Sequence, residues 1–359
     1  MIRKTLYILF LASFVMEPAL SASLLEVYQR ALQSDPLIHE AESRRLAALE
    51  GEIQARSRLL PELAVGSRYT VSNYDGSTIE SNITGEVGAV NTESKTLSTG
   101  WQLQLNQTLF EWGKWVNLKQ AGKLSAKAEI DYEIQQQDLI IRVVTRYLNV
   151  LAAEDNLVSF NSNKLAISRQ LEQAKQRYEV GLIAITDVQE SQAAYDQSVA
   201  NEINAKRSLA NARELLREIT GAYLPNLDAP DEDLPLLPPN PSIENEWIAS
   251  AMQQNLSLIS SRFEEEIARH EISFQRTGHY PSINLGANMG KQDTDNEDQI
   301  RNAINFPDLS VSNQNDSVYI QLSIPLYSGG MTSSKVQEAV YLHRASREKL
   351  QRIARETER

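Results

Sequence analysis

The sequence contains no cysteine in 359 residues. A chain without cysteine has no disulfide framework, no thiolate metal site and no N-terminal cysteine for lipid attachment. Beyond the first residues, no stretch approaches the roughly 18 consecutive apolar residues that mark a membrane-spanning helix. If the protein lies in a membrane, it must therefore span the membrane with strands.

Proline and positive charge are also scarce. No proline occurs between Pro61 and Pro225, and the chain has only 12 prolines and 15 glycines, so regular structure is expected to predominate. Six prolines then cluster within residues 222–241, which we predict to be a linker because they exclude a helix or a central strand. They are Pro225, Pro230, Pro235, Pro238, Pro239 and Pro241. The net charge of -12 argues against a nucleic-acid partner.

The first residues have the pattern of a secretory signal peptide, predicted to span 1–22. Arg3 and Lys4 precede a short apolar run, which is followed by a region of small residues. We place the cleavage after Ser21 or Ala22 and expect the protein to be exported. The alternative is an N-terminal membrane anchor, but the run is too short to span a bilayer.

Landmarks of the first half of the sequence recur in the same order in the second half. A helix-like opening at Ala31 returns at Ala251, and the proline at Pro61 returns at Pro281. We therefore predict a first repeat at 23–221, with short helices, a strand pair at 62–110 and a long helix hairpin at 112–221. After the linker, an incomplete second repeat at 242–359 has helices, a strand pair at 281–327 and the start of a long helix.

The segment from Trp112 to Tyr178 is predicted to form one very long helix. Its apolar residues alternate at spacings of four and three, with the exception of Gln137, and this is the pattern of helices that supercoil together. They are Ile130, Ile134, Ile141, Val144, Leu148 and Leu151. Gly181 is the predicted helix stop, and Thr186 and Asp187 are predicted to cap a return helix that ends near Gly221. A solvated coiled-coil stalk is the alternative interpretation.

Four segments alternate between apolar and polar residues with the period of a strand. They are 63–71, 101–106, 283–289 and 318–324. We expect strands of about 9 to 11 residues, the length of a tilted membrane-spanning strand, joined by long polar loops at about 75–96 and 290–315. An ordinary half-buried sheet shows the same alternation. Because small barrels need at least about 8 strands, four strands must be contributed to an oligomer.

Several motifs resemble those of one family of proteins. The most specific are Arg177 to Gln189 (RYEVGLIAITDVQ), Ala194 to Asp196 and Ala212 to Gly221 (ARELLREITG), together with Pro281 and the segment PLYSGG that begins at Pro325. These motifs, and the order of helices and strands, resemble the TolC-type outer-membrane efflux proteins of Gram-negative bacteria (the outer membrane factor family). The resemblance covers nearly all of the sequence from Leu24 to Arg359.

The resemblance implies a mainly α fold with membrane β-strands. The long antiparallel coiled-coil hairpin would help to form an α-barrel in the periplasm, and the four strands would enter a trimeric, twelve-stranded β-barrel in outer-membrane lipid. The partners it implies are two further copies of the chain, a periplasmic adaptor protein and an inner-membrane transporter. Drugs or secreted proteins would pass through the lumen, which the polar side chains of five strand residues would line. They are Gln102, Gln104, Asn106, Asn284 and Gln321.

The same resemblance assigns roles to the turn between the two long helices. Val180, Gly181 and Leu182 match the periplasmic tip that the adaptor contacts, and Thr186 and Asp187 match positions that hold the entrance closed. From the residues alone, Thr-Asp at a helix start is usually only a cap. The family has a second long hairpin, of which this sequence has only the first turns, from Met331. We therefore expect a C-terminally truncated chain that does not form a sealed conduit alone.

No pattern in the sequence indicates catalysis or a cofactor. The histidines are scattered and are expected to be surface or cap residues (His39, His270, His279 and His343). The acidic segment 293–298 resembles a calcium loop but lacks the glycine and the glutamate that such a loop needs, so we expect a surface loop. Three functions remain open: an export conduit, a non-conducting periplasmic coiled-coil protein, and an inactive fragment of a conduit.

Overall fold

The proline-free part of the chain forms two long helices in the computed structural model, which describes residues 21–81, 87–230, 238, 240–301, 304–305 and 307–359. The helices follow the bounds α1 Leu24–Ser34, α2 Pro36–Ser57, α3 Trp112–Glu179 and α4 Ile185–Thr220. The predicted signal peptide lies almost entirely outside the described residues, as do Pro235 and Pro239 of the predicted linker. The structure confirms the predicted fold class of a long helix hairpin combined with four long strands.

Two compact units make up the chain. The first, here called the hairpin unit, comprises 21–44 and Asp131–Trp247. The second, here called the sheet unit, comprises Arg45–Ile130 and Ile248–Arg359. In the hairpin unit, the core forms where α1 and the beginning of α2 pack against α3 and α4. Its buried residues are Val27, Ala31, Ile38, Leu139, Val143, Tyr147, Val150, Leu209, Ala212, Leu216 and Ile219.

The stripe of α3 that is buried differs from the predicted seam. Leu139 and Val143 are almost completely buried, whereas Ile141 and Leu148 of the predicted seam are 66 % and 45 % exposed. Within one chain, the predicted seam is therefore left largely uncovered at Ile141 and Leu148, and its role in packing between helices stays a prediction. The physical reason is that α3 carries apolar residues on more than one side, and spacing alone does not tell which stripe the chain covers.

A buried ion pair joins the end of α1 to α3 in the hairpin unit. Asp35 follows the last residue of α1 and is only 2 % exposed. The guanidinium Nη2 of Arg142 lies 2.6 Å from the Asp35 carboxylate, and its Nε lies 2.7 Å from the carboxylate of Asp138 one turn earlier. These two carboxylates raise the pKa of Arg142, mainly through the hydrogen bond to Asp35, against the opposing effect of burial. Arg142 therefore neutralises a charge that water cannot reach.

The sheet unit contains an antiparallel sheet in which β2 and β3 are the central long strands. The strands are β1 Glu62–Ser81, β2 Val87–Glu111, β3 Ser282–Arg301, β4 Ile304–Asn305 and β5 Leu309–Ser323. β1 pairs with β2, β2 with β3, and both β5 and the short β4 with the other edge of β3. Within the described residues, β1 and β5 each use one edge only, so the sheet ends in two open edges.

Most of the predicted long loops are strand instead. β1 pairs with β2 as far as Ser81 opposite Val87, and β3 pairs with β5 as far as Asn296 opposite Leu309. The described parts of 75–96 and 290–315 therefore belong mainly to the sheet. Ladder hydrogen bonds connect backbone groups, so polar side chains on both faces do not end a strand, although they remove the alternation that reveals one in a sequence.

The remaining helices are α5 Glu244–Gln254, α6 Leu256–Arg276 and α7 Met331–Glu358, with a short 3₁₀ helix at Thr277–His279. Asn255 caps α6, because its side-chain oxygen accepts a hydrogen bond from the amide of Leu258 at 3.0 Å. α7 packs along α6, and Lys349 pairs with Glu264 at 2.7 Å. None of the helices in the described part of the chain is long and apolar enough to cross a membrane.

Candidate functional site

One face of the sheet is polar and carries all five residues predicted to line a lumen. Opposite residues in antiparallel strands share a face, and the register places Gln104 beside Asn288 and Asn284 beside Gln321. Gln102 and Asn106 lie on the same face, because they are two residues from Gln104 on either side. The structure therefore brings the five side chains onto one surface. That this surface lines a lumen remains a prediction.

The opposite face is apolar over the part of the sheet nearest the helices. In β1 it begins at Leu63 and ends at Val71, and in β2 it comprises Trp101, Leu103 and Leu105. β3 and β5 continue it with Ile283, Leu285, Ala287, Met289, Val318, Ile320 and Leu322. From Leu63 to Val71 the strand advances roughly 27 Å, which compares with the band of about 25 Å on the outside of membrane barrels.

Beyond this band, the strands are polar on both faces. On the face that is apolar within the band, Lys95 of β2 pairs with Glu297 of β3 at 2.9 Å, and both side chains are partly exposed. On the other face, Thr96 donates a hydrogen bond to Asn296 at 2.9 Å. Because exposed ion pairs form where water is present, this outer part of the sheet is suited to an aqueous environment.

Sequence reasoning missed that all strand glycines lie on the polar face. They are Gly66, Gly76, Gly88, Gly100, Gly286 and Gly290. A Cβ atom at Gly290 would lie 2.8 Å from the backbone oxygen of Trp101, and one at Gly100 would lie 2.9 Å from that of Lys291. Glycine in a strand often marks a close backbone approach or a tight bend. In β2, Gly88 and Gly100 lie an even number of residues from Gln102 and Gln104 and therefore share a face with them. This spacing was the signal in the sequence.

At Gly286 the open space is filled by an aromatic ring. The ring of Tyr319, opposite Gly286 in β5, lies where a Cβ atom of residue 286 would stand, since its Cζ is only 2.2 Å from that position. Tyr319 therefore lies across the polar face of the sheet.

The turn between the two long helices is closed by a glycine in the left-handed conformation. Gly181 has a φ of 78°. Its amide donates to the carbonyl of Tyr178 at 2.9 Å, and the amide of Leu182 donates to the carbonyl of Arg177 at 2.8 Å. These two bonds are the Schellman arrangement, which satisfies the last carbonyls of a helix. Val180 and Leu182 beside it are 70 % and 69 % exposed.

The return helix begins two residues earlier than the sequence predicted. Ala184 is the N-cap residue of α4, so Thr186 lies inside the first turn and is not the cap. Asp187 is the third helical residue, and its carboxylate accepts a hydrogen bond from the amide of Ala184 at 3.2 Å. The carboxylate also stabilises the helix start through the helix dipole. Both residues lie in the first turn of α4 and not at its cap, and their gate role stays a prediction.

Two of the histidines have hydrogen-bonding partners in the described part of the chain. His343 of α7 lies 2.6 Å from Glu265 of α6, and His39 lies 3.0 Å from the carbonyl of Gln33. Burial and the charge of Arg269 lower the pKa of His270. The acidic segment 293–298 is part of β3 and not a loop. Among the described residues, no cluster of three or more metal-ligating side chains could hold a metal ion.

Comparison with known proteins gives consistent matches along the chain. A family model described as "Outer membrane efflux protein" matches residues 27–222 and 247–357. The chain is 37% identical over 321 residues to "Outer membrane protein TolC" of Salmonella enteritidis, covering 89% of this chain and 62% of that protein. It is 38% identical over 323 residues to the TolC protein of Escherichia coli (strain K12), with the same coverages. The chain thus spans less than two thirds of the length of these relatives.

More distant proteins resemble it along most of its length. "Alkaline protease secretion protein AprF" of Pseudomonas aeruginosa is 27% identical over 343 residues, covering 95% of this chain and 68% of that protein. Among solved structures, the Campylobacter jejuni CmeC outer membrane channel has a TM-score of 0.70 at 17% identity, covering 92% of this chain and 67% of that one. The outer-membrane channel OprN has a TM-score of 0.64 at 16% identity, covering 92% and 70%. These structures share the fold.

Proposed function

Because the chain belongs to the outer membrane efflux protein family, we propose that it is the outer-membrane channel component of a tripartite efflux or type I secretion system. The chain is an outer-membrane protein. In this proposal the protein forms a passive conduit through which drugs or secreted proteins pass. Energy for transport comes from an inner-membrane transporter, and a periplasmic adaptor connects the two.

The observation that carries the proposal is a sheet with one polar face, one apolar face and two open edges. An open edge presents unpaired backbone groups, which a membrane does not tolerate because lipid offers them no partner. The glycines on the polar face suit a sheet that curves toward that face. Three copies, joined β5 to β1, close such a sheet into a barrel that turns amides to water and apolar side chains to lipid.

The exposed stripe of α3 supports association of copies in the helical part as well. Ile134, Ile141 and Leu148 recur every seven residues, and the last two are substantially exposed within one chain. An apolar stripe of this spacing is the packing surface of a supercoiled helix. We propose that a neighbouring copy covers it.

Cross-linking between two cysteines introduced into each chain tests the proposed barrel. Because the chain has no native cysteine, no other thiol of the protein can form a disulfide. One cysteine replaces Thr70 of β1, and a second replaces in turn each odd-numbered residue from Val311 to Tyr319 of β5. Both sets lie on the polar face. Because β5 would adjoin β1 of the next copy, we expect oxidation to give covalent dimers and trimers at one register, seen on denaturing gels.

The matched control places the second cysteine in β2, at Gln102, which is paired on both edges within its own chain. We expect no cross-linked oligomer from the Gln102 variant. A ladder that continues beyond trimers, or cross-links that are independent of the register, would exclude a closed trimeric barrel.

The turn between α3 and α4 is the proposed periplasmic tip. Val180 and Leu182 present apolar side chains to solvent on either side of Gly181, which gives an adaptor protein a small hydrophobic contact. We propose that Thr186 and Asp187 hold the entrance closed. The bond from Ala184 uses one acceptor position of the Asp187 carboxylate, and an ionised carboxylate offers about four, so capacity remains for a donor on another hairpin.

Replacement of Asp187 by Asn separates the gate role from the capping role. Asn keeps an oxygen for the amide of Ala184 but loses the charge, and hydrogen bonds to charged groups contribute about 1.5–3 kcal/mol. We expect Asp187→Asn to raise the closed-state conductance of single channels in planar bilayers. Glu190→Gln, an exposed change one turn further along α4, serves as the control. Equal closed-state conductance of Asp187→Asn and the unmodified protein would remove Asp187 from the gate.

A further inference from the structure

Two cleavage points for the leader are compatible with the composition of the sequence, after Ser21 and after Ala22. Leader cleavage sites carry small residues at the first and third positions before the cut. A cut after Ser21 has Ser21 and Ala19 at these positions, whereas a cut after Ala22 has Ala22 and the bulky Leu20. The sequence pattern therefore favours the first of the two.

Ala22 is bound into the hairpin unit through its backbone. It forms a parallel β-bridge with Leu227, a residue that follows α4. Its amide donates to the carbonyl of Asn226 at 2.9 Å, and its carbonyl accepts from the amide of Asp228 at 3.1 Å. Its side chain packs against the buried core.

Tyr147 of α3 contacts both Ala22 and the segment that follows α4 through its hydroxyl group. Its hydroxyl lies 2.5 Å from the carbonyl oxygen of Asp228 and 3.1 Å from that of Ala22. Burial, followed by the charge of Asp228, raises the pKa of the Tyr147 hydroxyl, so this group keeps its proton and remains a donor. Tyr147 itself is only 3 % exposed.

The Asp228 carboxylate lies beside the Ser21–Ala22 peptide bond. The hydroxyl of Ser21 donates a hydrogen bond to Asp228 Oδ1. Removal of Ser21 frees this oxygen at the point where a cut would create a positive charge. A cut after Ala22 would instead remove the bridge residue, and the Asp228 amide and the Asn226 carbonyl would lose the partners described above.

We propose that the leader is removed after Ser21 and that the α-ammonium group of Ala22 then binds between the Asn226 carbonyl and the Asp228 carboxylate. A leader peptidase of the exporting cell hydrolyses the Ser21–Ala22 bond with one water molecule. The hydroxyl of the water goes to the Ser21 carbonyl carbon, and its hydrogen goes to the Ala22 nitrogen, which takes up a further proton at neutral pH. We name the resulting arrangement of Ala22, Asn226, Asp228 and Tyr147 the N-terminal clasp.

The N-terminal clasp ties the start of α1 to the segment that leaves α4. Export thus creates the charge that completes this part of the hairpin unit, because the unprocessed chain has a neutral amide in place of the ammonium group. The inference does not depend on the conduit role, since it concerns only processing and the contacts of the hairpin unit.

The test begins with the exported protein purified from cell envelopes. Its intact mass is expected to correspond to a chain that begins at Ala22. The folded protein is then treated at neutral pH with an amine acylating reagent, and labelling of the N-terminus is followed by peptide mass spectrometry. An adjacent opposite charge favours the ammonium form, which does not react. We therefore expect labelling to be about threefold to tenfold faster in Asp228→Asn than in the unmodified protein.

Asp155→Asn, which changes an exposed aspartate of the same unit, is the matched control and is expected to label at the unmodified rate. Hydrogen exchange gives an independent measurement, in which the amide of Asp228 is protected in the unmodified protein. A mature N-terminus at Ser23, or equal labelling rates in the Asp228→Asn and unmodified proteins, would overturn the proposal. The intact mass gives an answer even for a variant that does not fold.

Discussion

Replacement of Arg142 by Met is expected to lower the free energy of unfolding of the hairpin unit by about 3–5 kcal/mol. Methionine has a side chain of similar length without the charge. It leaves the carboxylate of Asp35, which is 2 % exposed, without its cation. An isolated charge that is cut off from water is far more costly than a missing contact. The loss is measured as a shift of the urea midpoint, followed by circular dichroism of the detergent-solubilised protein.

Arg44→Met is the matched control, because Arg44 pairs with Glu40 on the surface, where the two side chains are 78 % and 50 % exposed. Such pairs contribute about 0–1 kcal/mol. Asp35→Asn combined with Arg142→Met removes both charges and is expected to recover part of the loss. Equal losses in Arg142→Met and Arg44→Met, or no recovery in the double variant, would show that the buried charge is not the cause.

Gly290→Ala is expected to destabilise the sheet by about 1–3 kcal/mol in each copy and to reduce the yield of assembled oligomer. The added methyl group would lie 2.8 Å from the backbone oxygen of Trp101, and a backbone atom cannot move aside as a flexible side chain can. The strands at this point would have to separate, which opposes the curvature that closure of a barrel needs. Heat-modifiable migration on gels measures the assembled fraction, and tryptophan fluorescence follows unfolding.

Gly66→Ala is the control on the same face of the sheet. A Cβ atom at Gly66 would meet no atom of the described residues within 4 Å, so the same substitution is expected to change stability by less than about 0.5 kcal/mol. If both variants assemble as well as the unmodified protein, close backbone approach at Gly290 does not limit assembly.

Local patterns were sufficient for the polar face of the sheet. Successive side chains of a strand point to opposite faces, so the alternation around Gln102 and Gln104 determined which side chains share a surface before their partners were known. The ends of the strands were not accessible in this way. Beyond Val71 and Trp101 both faces are polar, so the alternation disappears although the backbone ladder continues.

The helix start at Ile185 illustrates the same limit at the proposed tip. The stop at Gly181 was predictable, because glycine adopts a positive φ without steric cost. The cap was not, since Thr186 and Asp187 both suit an N-cap position by composition. The structure selects Ala184 for that position and uses Asp187 from inside the first turn instead.

What the sequence alone determined is the kind of structure present at each place: long proline-free helices, alternating strands and a glycine stop. These follow from backbone preferences and from periods that each segment carries within itself. Only the tertiary structure decided which stripe of α3 is buried, that Arg142 neutralises Asp35, and that Ala22 binds beside Asp228. Each of these depends on residues that are distant in the chain, and no local period encodes which distant surface a segment will meet.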